Sequence, residues 1–434
     1  MQYWLSRPYS GNNPEGTGYE KAINLQARYI GLHTVDRAFL PVLLGIDINT
    51  YGMSRAFYEE YQVKSVVIGR YNSGPSCNSR IIDFRTVPDL DTPEGFLRTI
   101  GGLVSEFPGK KLILIGCGDH YVELIVKNKA RLASDIIAPY IDEELMDNLL
   151  TKLKFYQICD QYGIHYPGTF IYDRSMGEDF SLPFGFPVIL KPSNGIKYWK
   201  HEFPTQKKVY RIRDAQTLKS VINQIYEAGY DDSLIIQDFI PGDDSQLRVM
   251  MCYSGRDRKV KLMSLAHVML EEHTPHGLGN TAVLITEYDE ELSEMLRRFL
   301  EKVGYTGYST FDIKYDQRDG KFKVLEINLR QGRSNYYVTG AGNNLAKYVV
   351  EDYMDEKELK LEIANVRKLW TMIPLRVAFR YVKGEGNLRQ MKQLVREKKV
   401  IRPLFLKGDN KLKRMVFLFK SYMSHYLKYR KYME

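Results

Sequence analysis

Two short runs of alternating polar and apolar residues flank a polar turn from Asp316 to Lys321. They are Phe311-Asp312-Ile313-Lys314-Tyr315 and Val324-Leu325-Glu326-Ile327-Asn328-Leu329-Arg330. Period-two alternation on both sides of a turn holding Asp319-Gly320 predicts a β-hairpin with one polar face. Asp312 and Lys314 share that face on the first strand, and Glu326, Asn328 and Arg330 share it on the second. The hairpin thus gathers three oxygen ligands and two cations on one surface. Hard divalent cations take oxygen ligands and keep phosphate oxygens in their shell. The pattern therefore points to a magnesium–nucleotide platform, with Arg330 placed to hold a further anion. A solvated strand face with structural ion pairs would read the same way, so the rest of the chain has to decide.

The chain is long enough for more than one core, with 434 residues and 44% hydrophobic content. A net charge of +9 suits anionic partners: nucleotides, phosphorylated substrates or a membrane surface. No zinc-finger spacing, helix-turn-helix signature or aromatic RNA-binding motif accompanies it, so nucleic acid is not expected. Cys77, Cys117, Cys159 and Cys252 are scattered without a Cys-x-x-Cys, which suggests neither a disulfide frame nor a zinc site and favours a reducing cytosol. No apolar run is long enough to span a bilayer, and the N-terminus lacks a signal-peptide core.

Residues 1–38 read as a loop-like extension with one short helix over Glu20–Ile30. From 39 to 140 strands alternate with helices, which predicts a parallel sheet. The strands are Pro41–Gly45, Val63–Gly69 and Lys111–Gly116; the helices are Met53–Tyr61 and Pro93–Phe107. Ligands on such sheets sit beyond the strand C-terminal ends. Here those ends are Gly45-Ile46-Asp47-Ile48-Asn49 and Gly116-Cys117-Gly118-Asp119-His120. Neither a Gly-x-Gly-x-x-Gly after the first strand nor a Gly-x4-Gly-Lys-Ser/Thr loop is present.

Helices are expected over Asp142–Leu149 and Lys152–Tyr162. In Val188-Ile189-Leu190-Lys191-Pro192 a lysine ends an apolar strand, just before the loop Ser193-Asn194-Gly195-Ile196. A phosphate under a closing loop would satisfy that charge; snorkelling to solvent is the alternative. The strand Leu234–Ile240 ends at Pro241-Gly242-Asp243-Asp244. Its backbone suits a purine base and its carboxylate the ribose hydroxyls, although a turn rich in Gly and Asp would look alike. His267, His273 and His276 are read as loop histidines near an anionic substrate rather than a metal triad. Residues 356–434 form a basic extension, with Trp370–Val382 strand-like and Asn387–Lys399 helical. In Leu412–Tyr432 a stripe of Met415, Leu418, Phe419, Tyr422, Met423 and Tyr426 is expected to pack on the protein; lying on an anionic leaflet is the alternative.

Taken together and in order, Pro41 to Tyr353 resembles an ATP-grasp ligase. The resemblance implies an α/β plus α+β fold: a Rossmann-like pre-ATP-grasp domain (39–140), then an ATP-grasp domain (141–355) whose two subdomains clasp ATP. It implies ATP and Mg²⁺ as cofactors. Nucleotide contacts would fall to Lys152, Lys191, the hinge Gln237-Asp238-Phe239-Ile240 and Asp244, and metal contacts to Asp312, Glu326 and Asn328. Arg330 and Lys314 would be catalytic, and Arg248, Arg333 and Ser334 would hold substrate. Gln237 and Asp244 stand where the family usually carries Glu. Within that family, the run Pro41–Arg55 and the Phe311–Tyr315 strand are similar to the D-aspartate ligases of peptidoglycan cross-bridge synthesis. The expected partners are an amino acid carboxylate and an amine, the latter on a muramyl-peptide precursor. Attachment to a surface glycan, dipeptide synthesis and a non-catalytic nucleotide-binding module are the competing readings.

Overall fold

The computed structural model describes residues 34–433 apart from 178, 208, 275 and 276. The expected extension before residue 34 and His276 lie outside the described residues.

The first unit is an all-parallel five-stranded sheet in the order β3-β2-β1-β4-β5. Its strands are β1 (Phe39–Leu44), β2 (Ser65–Gly69), β3 (Ile82–Thr86), β4 (Lys111–Gly116) and β5 (Ile136–Ile137). β1 and β2 are buried along their whole length, and β4 after its first residue, which explains their continuous apolar runs. The strand order reverses between β1 and β4, which opens a crevice at their C-terminal ends. Each end runs into a helix. Ile48–Tyr61 is capped by the Asp47 carboxylate, which accepts from the Asn49 and Thr50 amides. Asp119–Asn128, a helix the sequence reading did not identify, follows Gly118.

A small antiparallel sheet follows, in the order β6-β9-β7-β8. It comprises β6 (Thr169–Tyr172), β7 (Val188–Pro192), β8 (Tyr210–Ile212) and β9 (Leu234–Asp238), and has its own core around Leu190, Ile222 and Ile236. The helix Ala215–Glu227 closes that core with Leu218, Ile222 and Ile225, spaced for one helical face.

The largest sheet has eight strands. At its heart are β10 (Leu247–Ser254), β11 (Val260–Glu272), β12 (Asn280–Glu287), β13 (Gly307–Asp316) and β14 (Lys321–Asn328). The C-terminal segment adds β15 (Glu362–Ala364), β16 (Leu369–Thr371) and β17 (Val400–Ile401). After β16 the chain forms the helix Leu375–Tyr381 rather than continuing the strand expected over Trp370–Val382. The first unit packs directly on this sheet: Leu43, Tyr51 and Ile115 share a core with Met251, Tyr253, Val349 and Trp370. Gly307, at φ +89°, lies so close to the first unit that a Cβ there would meet the Pro139 carbonyl oxygen at 1.9 Å.

The C-terminal helix Leu412–Met433 corrects another expectation. Of its apolar stripe only Leu418 is fully buried; the helix packs through Arg414, Leu418, His425 and Tyr429. Arg414 is fully buried and lies 2.9 Å from Asp409, which also accepts from Tyr51 and Ser79 of the first unit.

Candidate active site

The hairpin β13–β14 carries the metal-type residues, and its ladder contains an irregularity that matters. Asp312 pairs with Glu326, but Ile313 pairs with Val324, so Leu325 is an extra residue forming a bulge. The bulge lets Val324 and Ile327 both reach the core while Glu326 stays opposite Asp312. Strict alternation would have put Val324 on the polar face beside Glu326. Asn328 donates to Asp312 Oδ2 at 2.9 Å.

A cavity of about 510 Å³ lies between the small sheet and the large one. Lys191 and the hinge residues Gln237–Ile240 border it from one side, and Asp312, Lys314 and Glu326 from the other. Lys152, at the start of its helix, reaches in to place Nζ 2.9 Å from Glu326 Oε2. Burial is the largest single influence and opposes the Lys152 charge, but Glu326, Tyr156 and Asp312 together outweigh it, and the net pKa is raised. Burial, then the neighbouring Glu326, pushes Asp312 up to about 7. Two adjacent carboxylates, crowded enough to disfavour full ionisation, form a donor set suited to a divalent cation that completes its shell with phosphate oxygens; the Asn328 amide beside them turns its nitrogen to Asp312 and its oxygen to Arg330. Among the described residues no three His, Cys, Asp or Glu side chains form a metal cluster by themselves.

At the hinge, Gln237 donates to Tyr156 Oη at 2.9 Å and Thr169 Oγ1 at 2.8 Å, which locks the side chain in the core. Asp238 accepts both Arg318 Nη groups, at 3.2 and 2.6 Å, tying the small sheet to the β13–β14 turn. The Phe239 ring lies between Arg211 and Lys314, 4.1 and 5.2 Å from its centroid.

Arg330 leaves the hairpin toward the first unit. It donates to both oxygens of Asp119, at 2.7 and 3.1 Å, and to Asn328 Oδ1 at 3.2 Å. The following loop is bolted to the crevice between β1 and β4. Gln331 donates to the Gly116 carbonyl, Asn49 to the Cys117 and Gln331 carbonyls, and Asn335 to Asn49. Arg333 sits between Asp47 and Glu272, at 3.9 and 3.7 Å. Ser334 is buried where the chain turns into the helix Tyr336–Ala341.

Three expected placements differ. Lys314 does not join Arg330; its ammonium donates to the Ile240 carbonyl at 2.8 Å, at the hinge end of the cavity. The two-residue offset from Asp312 keeps it on the same face but carries it along the strand toward the base site. Arg248 borders the cavity, but its guanidinium pairs with Glu287 and donates to the Ser245 and Leu247 carbonyls, so a substrate there would compete with those partners. Asp244 accepts from the Glu271 amide at 2.9 Å and His273 at 2.8 Å. The acid that borders the cavity there is Glu271, which sequence reasoning missed. Burial, then Asp244, pushes its carboxyl up to about 7. The signal available in the sequence was an acidic pair, Glu271-Glu272, ending an otherwise apolar strand.

No family model matches the chain. It is 37% identical over 406 residues to the D-aspartate ligase of Enterococcus faecium (strain Aus0004), an alignment covering 90% of this chain and 96% of that protein. The chain belongs to the D-aspartate ligase family. Solved structures agree on the fold. An L-amino acid ligase from Bacillus licheniformis superposes with a TM-score of 0.51 at 15% identity, covering 73% of this chain and 74% of the other. An N5-carboxyaminoimidazole ribonucleotide synthetase in its ADP complex gives 0.58 at 13% identity, covering 85% and 99%. The fold is ATP-grasp, and this member of the D-aspartate ligase family is an ATP- and Mg²⁺-dependent carboxylate–amine ligase.

Proposed function

We propose that the enzyme activates the β-carboxylate of D-aspartate as an acyl phosphate and transfers it to the lysine side-chain amine of a muramyl-peptide precursor in the cytoplasm. The observation carrying this reading is the convergence of Lys152, Lys191, the Gln237–Ile240 hinge, Asp312 and Glu326 on one cavity, with Arg330 fixed at its hairpin edge. The name of the Enterococcus relative supports the amino acid.

Lys152 and Lys191 would hold the nucleotide phosphates as point charges, and the hinge backbone would face the base. Asp312, Glu326 and Asn328 would hold Mg²⁺, which when bound offsets charge building between the β- and γ-phosphates. Arg330, its fork oriented by Asp119, would stabilise the acyl phosphate and the oxyanion formed when the amine attacks. Arg333, weakly held at 3.7–3.9 Å by two acids, would take the remaining substrate carboxylate, with Ser334 beside it. The attacking amine must be neutral, against an ordinary lysine pKa of ~10.4; a partly desolvated site near cations lowers it.

The test is ADP release with D-aspartate, L-aspartate and D-alanine, each with and without a lysine-containing muramyl pentapeptide. The reading requires D-aspartate to give the fastest release and the pentapeptide to carry the new amide. Release triggered equally by all three acids, or product without the pentapeptide, rejects the substrate assignment. Among the described residues no helix is long and apolar enough to cross a membrane. Any bilayer contact made by the described residues would be peripheral, and the C-terminal helix is the element that would make it.

A further inference from the structure

A lysine side-chain amine is an ammonium in neutral solution, so a proton has to be taken from it before it can attack an acyl phosphate held by Arg330. Arg330 stands between two spaces. The cavity bordered by Lys191, Asp312 and Glu326 lies on one side, and the crevice at the C-terminal ends of β1 and β4 on the other, where Arg330 meets Asp119. With a nucleotide in the cavity, the crevice is the side left open to a second substrate. Its mouth carries acids: the Asp119 side chain is 62% exposed and that of Asp91 37%. Such a rim draws in an ammonium.

The acids themselves are engaged. Asp119 holds Arg330, Asp91 pairs with Arg70 at 2.8 Å, and Asp47 caps its helix and faces Arg333. His120 differs. It follows Asp119 in the first turn of the helix Asp119–Asn128 and is exposed. Its ring lies 3.8 Å from that of Tyr121 and folds back over Gly118 at the end of β4, where a Cβ on Gly118 would sit 3.5 Å from its Cε1 and Nδ1. Partial burial holds its pKa below 6.5; Asp119, Asp91 and Glu123 act to raise it, and Arg70 acts with burial to lower it. The imidazole is therefore neutral at pH ~7, with a lone pair to offer.

We propose that His120 accepts the proton of the acceptor's lysine ammonium and so makes the amine a nucleophile beside Arg330. This rests on the lysine-amine reading of the acceptor and names the base for it. The ammonium gives one proton to the imidazole. The neutral nitrogen then adds to the acyl carbon, the C–O bond to phosphate breaks, and phosphate leaves with that electron pair and a second proton from nitrogen. The imidazolium returns its proton to solvent.

The experiment compares full-length wild type with His120→Gln in the presence of ATP, Mg²⁺ and D-aspartate, with either the lysine-containing muramyl pentapeptide or hydroxylamine as nucleophile. Hydroxylamine is neutral at the assay pH and needs no base. At pH ~7 the variant is expected to form the pentapeptide amide at least about a hundredfold more slowly, with hydroxamate formation within about twofold of wild type. The amide deficit should shrink as pH rises toward ~10, where the amine loses its proton unaided. An amide rate near wild type, an equal loss in both arms, or a deficit indifferent to pH would each overturn the proposal. Wild type that yields hydroxamate but no pentapeptide amide rejects the acceptor, and with it this proton transfer. The wild-type hydroxamate arm, run also with L-aspartate and D-alanine, reports which acid is activated. An error in the donor shows there, whereas an error about His120 shows in the ratio of the two arms.

Discussion

Arg330 of the central hairpin donates to both carboxylate oxygens of Asp119, at 2.7 and 3.1 Å, across 211 residues of sequence. This contact ties the parallel sheet to the active site, because it aims a guanidinium that the hairpin itself holds only through Asn328. Asp119→Asn is expected to lower kcat at least about tenfold, since small misplacements of a positioning group are costly in rate. Melting should hardly change, because the carboxylate is largely exposed and such pairs contribute ~0–1 kcal/mol. ADP release and a thermal melt measured together check both halves; an unchanged kcat rejects the aiming role.

Glu326 faces Asp312 across the bulged ladder and holds Lys152. Glu326→Ala is expected to cut ADP release at least about a hundredfold in a protein that stays folded, because metal and phosphate charge would lose their anchor. Turnover near wild type would remove Glu326 from the metal set.

Glu271 borders the cavity where the resemblance had suggested Asp244. If it holds a nucleotide hydroxyl, Glu271→Gln should raise KM for ATP about tenfold with kcat nearly unchanged. A fall in kcat at constant KM would point instead to a role in the chemical step.

The Asp244–His273 pair sets a pH dependence of stability. Burial, the largest single influence, acts to raise Asp244, but the hydrogen bonds from His273 and the Glu271 amide, with the charges of His273 and Lys383, together outweigh it, and its pKa falls below 3.8. Its contribution is therefore present above 3.8 and lost as pH falls through the folded value. The same hydrogen bond lifts His273 above 6.5, so that contribution is full below 6.5 and lost as pH rises through the folded value. The melting difference between wild type and His273→Ala should thus be largest near pH ~5 and shrink above pH ~8. Both groups are partly exposed, so it should stay within ~1 kcal/mol. A difference that grows toward high pH contradicts the pairing.

Asp409 binds Tyr51, Ser79 and the Arg80 amide and neutralises the buried Arg414. Asp409→Ala leaves that guanidinium buried with no counter-charge, and a loss of about 3–5 kcal/mol is expected in urea unfolding. A loss under ~1 kcal/mol would mean that the C-terminal helix detaches instead of straining.

The sequence by itself determined the elements with strong local patterning. Continuous apolar runs set β1, β2 and β4, alternation set the hairpin, and a lysine ending an apolar strand marked Lys191 as a residue needing an anionic partner. Those signals are local because burial of each strand face is written in its own residues. Tertiary structure decided everything that depends on which groups meet. The bulge at Leu325 moved Val324 into the core, and Asp119 claimed Arg330. The Ile240 carbonyl drew Lys314 to the hinge, and Glu287 withdrew Arg248. The C-terminal helix turned Arg414 inward, because Asp409, seated against Tyr51 and Ser79 of the first unit, stands in a buried setting where a charge must be paired, and so left Phe419 and Leu427 outside. A side chain's type can be read from one position, but its partner depends on residues far along the chain, and only the packed fold brings those together.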